Sequence, residues 1–242
     1  MEGCRNGGDF LRMVMESIAT QQGVERWADC TPEHVLHIPE IKRQIPNALI
    51  LHIIRDGRDA ALSYAKQGWS RPLPWDRRQH LAAAALYWDW MVRRGRAQGR
   101  QLGSAYQEVF FEDLVKKPRE TLARLSPFVG QELDLDRIRI AGIGSVSKPN
   151  TSFPAESANA PFDPVGRWKN MLKPGEVKLL DGLVGPLLHE LGYPVSDGWN
   201  TPSLRVKRMR ATYAAIFGSK FWLRGNTPAG RFIDLSRMES AP

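Results

Sequence analysis

The sequence predicts an α/β protein with a central parallel sheet flanked by helices. Three observations carry that reading. The apolar, β-branched run from Ala48 to Ile54 contains one histidine and no charge, which suits a strand buried on both faces, as in parallel sheets. It ends abruptly in Arg55-Asp56-Gly57-Arg58-Asp59, and a helical pattern opens at once. Along the rest of the chain, short apolar runs alternate with longer helical patterns.

Each element has a local reason. Residues 9–21 carry a helical pattern, with Asp9 as cap and Gly23 as stop. A short strand follows near Val24 to Cys30. Pro32 to Arg43 is predicted helical, with Glu33 in its first turn. The strand at 48–54 feeds a helix from Asp59 to Gln67, capped by Asp56 or Asp59. Residues 69–78 form a loop containing two tryptophans and two prolines. A long helix over 79–96 carries Leu86, Trp88, Trp90 and Met91 toward a core. Ala105 to Phe111 is the next strand. Helices follow over 117–128, with Gly130 beyond, and over 134–142. Residues 143–167 are rich in Gly, Ser, Pro and Asn without periodicity, the mark of a functional loop in a compact domain. Pro174 to Leu191 is the last helix of the body, ended by Gly192.

At 242 residues, with 42% hydrophobic and 25% charged residues, the chain can bury one sizeable core. No run approaches the roughly 18 apolar residues of a membrane span, and the start is not a signal peptide. Cys4 and Cys30 give no disulfide framework, so a reducing, cytoplasmic setting is expected. No Cys/His spacing suggests zinc, and no metal is expected. The net charge of +8 is uneven. From Thr201 onward there are eight Lys or Arg and two acidic residues, and residues 1–200 carry only +2. The chain divides accordingly into an α/β body over 1–199 and a basic helical extension or tail over 200–242.

Two arginines thus stand at the carboxyl end of a buried strand, beside a fresh helix N-terminus. Open α/β sheets bind ligands there, and arginine forks and helix N-termini both favour phosphate. On these residues the chain resembles the sulfotransferase family that uses 3′-phosphoadenosine-5′-phosphosulfate (PAPS), whose Arg-Asp-x-Arg-Asp-x-x-x-Ser element binds the donor's 3′-phosphate. Trp27-Ala-Asp29-Cys30-Thr31-Pro32-Glu33-His34 resembles the family's Trp-x-Asp-Lys-Thr-Pro-x-His segment. Phe111-Glu112-Asp113-Leu114 resembles its Tyr-Glu-Asp-Leu. Asn150-Thr151-Ser152-Phe153 and Gly166-Arg167-Trp168-Lys169-Asn170 resemble two late donor-site segments, and Pro186 to Tyr193 its closing helix and turn. The likeness covers roughly residues 9 to 195. It implies a three-layer, P-loop-like α/β fold, PAPS as co-substrate, and transfer of its sulfuryl group to a hydroxyl or amine acceptor that the sequence does not identify.

The resemblance also assigns roles. Arg55 and Ser63 match the phosphate-contacting pair, and Arg58 either joins them or is an exposed helix-start charge. Thr151, Ser152, Arg167, Trp168 and Lys169 belong to the donor-binding segments, Trp168 being equally readable as a core anchor. The family's Arg-Lys-Gly triplet is here Pro161-Phe162-Asp163, so that contact is lost or supplied by Arg167. His34 and Glu33 follow the strand that faces the sulfonate, and imidazole suits a neutral-pH base. A structural histidine at a helix start is the competing reading of His34.

Two departures bear on activity. Cys30 stands where the family has a lysine, removing a cation from beside the sulfonate. No Arg/Lys-Ser-Gly-Thr or Gly-x-x-x-x-Gly-Lys-Ser/Thr sequence occurs, so the 5′-phosphosulfate loop is expected upstream of Met1. The chain is then either an N-terminally truncated sulfotransferase or a degenerate, non-catalytic relative that binds a 3′-phosphorylated adenine nucleotide or acts as an interaction module. A nucleotide kinase would need the same loop. The basic segment Leu204 to Phe217 could meet an anionic membrane surface or nucleic acid, or be a solvated helix packed on the body. The case for nucleic acid is not strong.

Overall fold

The computed structural model describes residues 4–67, 80–141 and 163–228. Its sheet, among these residues, is two parallel strands, β1 (Ile50–Ile54) and β2 (Tyr106–Phe110), in register from Ile50 opposite Tyr106 to Ile54 opposite Phe110. Between them run helices α3 (Gly57–Gln67) and α4 (His80–Gly99), the crossover a parallel pair requires. A parallel α/β core is therefore present, smaller than the three-layer sheet expected from the sequence.

Helix α1 (Gly7–Gln21) starts two residues before the expected point, because Asn6 caps it by accepting the Asp9 N–H at 3.0 Å. Asp9 instead reaches back to accept from the Arg5 N–H, one residue before the cap. Gly23, at φ +66°, turns the chain away. Val24 to Cys30 is not a strand, and among the described residues no strand lies beside it to complete a ladder. The expected helix over 32–43 is broken into a 3₁₀ turn (Pro32–Leu36) and α2 (Ile38–Gln44), with Pro39 opening the second. Proline suits a helix start and disfavours a helical residue before it.

Helix α4 organises the core. Its Ala82, Ala83, Ala84 and Ala85 are all buried, and their small side chains let α3 approach closely. At Gly57 an added Cβ would lie 2.5 Å from the Trp88 ring, so only glycine fits at that crossing. Leu86, Trp88 and Met91 are buried as expected, while Trp90 is half-buried. After β2 come α5 (Phe111–Lys116), α6 (Pro118–Val129) and α7 (Leu135–Ala141). Pro118 separates α5 from α6, and the sequence had offered only the second. Then follow α8 (Trp168–Met171), α9 (Pro174–Glu190) and α10 (Leu204–Asn226).

One further expectation is corrected. Strand β1 is not buried on both faces. Its His52 and Ile54 face the core, whereas Leu51 and Ile53 are 37% and 52% exposed. The basic segment is one long helix, and Val206, Tyr213 and Phe217 of α10 belong to the same hydrophobic cluster as α4 and α9. Among the described residues no helix is long and apolar enough to cross a membrane.

Candidate functional site

The end of β1 and the start of α3 set the site's geometry. Asp56 is the cap of α3: its Oδ1 accepts the Arg58 N–H at 2.9 Å. Asp59 has a different task. Its two oxygens accept the N–H groups of Gly166 (2.7 Å) and Trp168 (2.9 Å), so it fastens the segment before α8 onto α3. Burial pushes the Asp59 carboxyl above its ordinary range, against the two N–H donors and Arg55, which hold it down.

The two arginines separate sharply. Arg58 is 1% exposed, so it is not the surface charge the sequence allowed. Its Nε and Nη2 donate to the two oxygens of Asp56 (3.0 and 2.7 Å), and Nη1 donates to Asp181 of α9 at 3.1 Å. The Trp168 ring lies 3.7 Å from its guanidinium carbon. Trp168 is thus an anchor for α8 over a buried ion cluster. Arg55 faces outward, with its side chain 24% exposed. Its Nη2 donates to the Pro164 carbonyl and stands 4.0 Å from Asp59. Its guanidinium carbon lies 4.9 Å from the Phe111 ring centre, and its buried Nε has no hydrogen-bond partner among the described residues.

Ser63 is half-buried on α3, one turn beyond Asp59 on the same face. Arg167 precedes α8 and is half-buried, and Lys169 is exposed with its ammonium 5.8 Å from the Trp168 ring. Thr151 and Ser152 lie outside the described residues. Glu33 and His34 sit on the 3₁₀ turn, which packs against α4. Glu33 accepts from the Tyr87 hydroxyl at 3.3 Å, and Tyr87 meets Tyr64 edge-on at 6.3 Å. That chain of contacts brings Glu33 toward Tyr64 of α3. His34 Nδ1 is 3.6 Å from the Asp29 carboxylate, too far for a hydrogen bond. Cys30 is exposed and free. Among the described residues no group of His, Cys, Asp and Glu is placed to hold a metal ion.

Sequence reasoning placed Glu112 and Tyr193 in family-like segments without giving either a role, and did not single out Asp181. Glu112 accepts the Asp56 N–H and the Tyr193 hydroxyl, each at 2.9 Å. Asp181 also accepts the Ser196 N–H at 2.8 Å. The available signal for Asp181 was a lone carboxylate inside the apolar run Leu179-Leu180-Asp181-Gly-Leu-Val184. Such a residue, once buried, requires a cationic partner.

The arrangement therefore defines a partly exposed arginine at the mouth of a parallel β–α junction, beside a buried carboxylate–arginine lattice. The chain belongs to the sulfotransferase family: the family model matches residues 6–135, just over half of its length. That span includes β1, α3, α4, β2 and Glu112, and it makes the protein a transferase of the sulfotransferase type. A search of curated proteins finds no match to the chain.

Proposed function

We propose that the chain binds PAPS and transfers its sulfuryl group to a hydroxyl or amine acceptor, with Arg55 and Ser63 holding the donor's 3′-phosphate. The observation that carries this reading is Arg55 itself. Its charge is presented at the carboxyl end of β1 beside the α3 N-terminus, and its buried Nε lacks a partner among the described residues. Phosphate oxygens satisfy a guanidinium edge of that kind. Arg58 supports rather than contacts the anion, because all three of its nitrogens are engaged by carboxylates.

The chemistry asked of the protein is positioning and charge stabilisation rather than covalent work. Gly166 and Trp168, drawn onto Asp59, place Arg167 and Lys169 beside the same mouth. His34 is the group that takes the acceptor's proton, and Glu33 is the carboxylate next to it on the same turn. A three-layer, P-loop-like architecture belongs to the same reading.

Calorimetric titration of the 242-residue chain with adenosine 3′,5′-bisphosphate tests it, alongside Arg55→Ala. Micromolar binding that disappears in the variant is expected. Equal binding by Arg55→Ala, or none by the folded parent, would overturn the assignment.

A further inference from the structure

Helix α10 has two faces, and the core uses only one. Val206, Tyr213 and Phe217 point into the hydrophobic cluster. Phe217 and Phe221 also meet the Trp90 ring, at 5.6 and 5.9 Å between centroids. On the opposite side, Leu204, Arg208, Ala211, Ala215 and Trp222 recur at intervals of three, four and seven, which places them on one outward stripe. Leu204 is 64% exposed and Trp222 59%, the most exposed large hydrophobic side chains of this helix. Arg205 and Lys207, both exposed, flank the stripe on either side. From Thr201 to Pro228 there is no Asp or Glu at all.

We propose that this outward face of α10 lies on an anionic lipid bilayer, with Trp222 and Leu204 seated at the headgroup boundary and Arg205, Lys207 and Arg208 meeting lipid phosphates. Charge complementarity names the partner. Residues 1–200 are near neutral, and the chain's positive charge is gathered from Thr201 onward. A helix lying in a membrane interface combines a cationic flank with aromatic and aliphatic anchors, and long cationic side chains reach outward from such a helix to the phosphates. The anchors stand 18 residues apart along α10, a separation of about 27 Å that holds the axis parallel to a surface. Nucleic acid fits less well. A phosphate backbone gains nothing from an exposed Trp and Leu at the two ends, and the middle of the stripe holds Ala211 and Ala215 rather than cations.

The test is co-sedimentation of the full chain with vesicles of phosphatidylcholine alone or mixed with phosphatidylglycerol. The parent is expected to pellet with the anionic vesicles and stay in solution with the neutral ones. The double variant R205E/R208E is expected to bind the anionic vesicles about tenfold less or weaker still. W222S is expected to bind several-fold less and to lose the part of the vesicle-induced blue shift in tryptophan emission that Trp222 contributes. All three side chains are exposed, and an acidic residue at position 205 suits the first turn of the helix, so both variants should keep the parent's circular dichroism and melting temperature. Equal sedimentation with neutral vesicles, undiminished binding by either variant, or tighter binding to a DNA duplex than to anionic vesicles would each overturn the proposal.

Discussion

Glu112 accepts the backbone N–H of Asp56 at 2.9 Å, and so ties the end of β2 to the cap of α3. Its second oxygen takes the Tyr193 hydroxyl at 2.9 Å, which adds the turn after α9 to the same knot. Burial, and after it the Glu112 charge, push that hydroxyl far above its ordinary range, so it remains a donor. One carboxylate thereby fixes where Arg55 and the α3 N-terminus sit. Glu112→Ala leaves the N–H of buried Asp56 and a half-buried hydroxyl unpaired, and chemical denaturation should show a loss of about 2 kcal/mol or more. Tyr193→Phe keeps the Asp56 contact, so its cost should be the smaller of the two. Nucleotide affinity should fall in Glu112→Ala and hold in Tyr193→Phe.

The neighbouring arginines should respond unequally to replacement. Arg58→Met strands the Asp56 and Asp181 carboxylates in the interior and should cost about 3–5 kcal/mol of stability. Arg55→Ala removes a partly exposed side chain whose nearest carboxylate is 4.0 Å away. It should cost about 1 kcal/mol, since the exposed share of such a pair is screened by solvent. Thermal melts of the two variants, read beside nucleotide titrations, check both halves. A strongly unfolded Arg55→Ala would remove the distinction drawn here.

Legibility in the sequence followed locality. The junction Ile54-Arg55-Asp56-Gly57 could be read because strand, cap and helix start are adjacent in the chain. Gly23, Gly130 and Gly192 marked helix ends correctly, each with positive φ. What escaped depends on partners distant in sequence. The division of labour between Arg55 and Arg58 is set by Asp181, and the role of Asp59 by Gly166 and Trp168. Burial of β1 was overcalled because an apolar run shows that two faces can be covered, not that neighbours exist to cover them, and Leu51 and Ile53 have none sufficient.

Gly57 should tolerate no side chain. A Cβ there meets the Trp88 ring at 2.5 Å, and neither the α4 backbone nor the packed indole can yield cheaply. Gly57→Ala should therefore push the first turn of α3 away from α4, lowering stability by about 1–3 kcal/mol. Because Asp56 and Arg55 move with that turn, nucleotide affinity should fall along with stability. Gly57→Ala combined with Trp88→Leu opens the space, and recovery of affinity in the double variant is the measurement that separates steric displacement from loss of glycine's backbone freedom.

The pH dependence of stability should carry the mark of His52. This residue is 8% exposed, with Nδ1 2.7 Å from the Tyr106 hydroxyl and Glu108 opposite it on β2. Burial pushes its pKa down to about 4, with Glu108 opposing that shift and the Arg96 guanidinium adding to it. The unfolded chain protonates its imidazole near the ordinary value of about 6.5. Between those two values the unfolded state binds the extra proton, so His52 stabilises the native protein above that window and loses its contribution as the pH falls through it. The full loss amounts to about 3 kcal/mol. Asp59 works the other way, because its raised pKa lets the folded state take up a proton first. The difference between the parent and His52→Gln in urea unfolding, taken from about pH 7 down to about pH 4.5, therefore isolates the histidine. The parent should lose more stability than the variant over that span. Parallel curves would mean that His52 protonates in the folded state as easily as in the unfolded one.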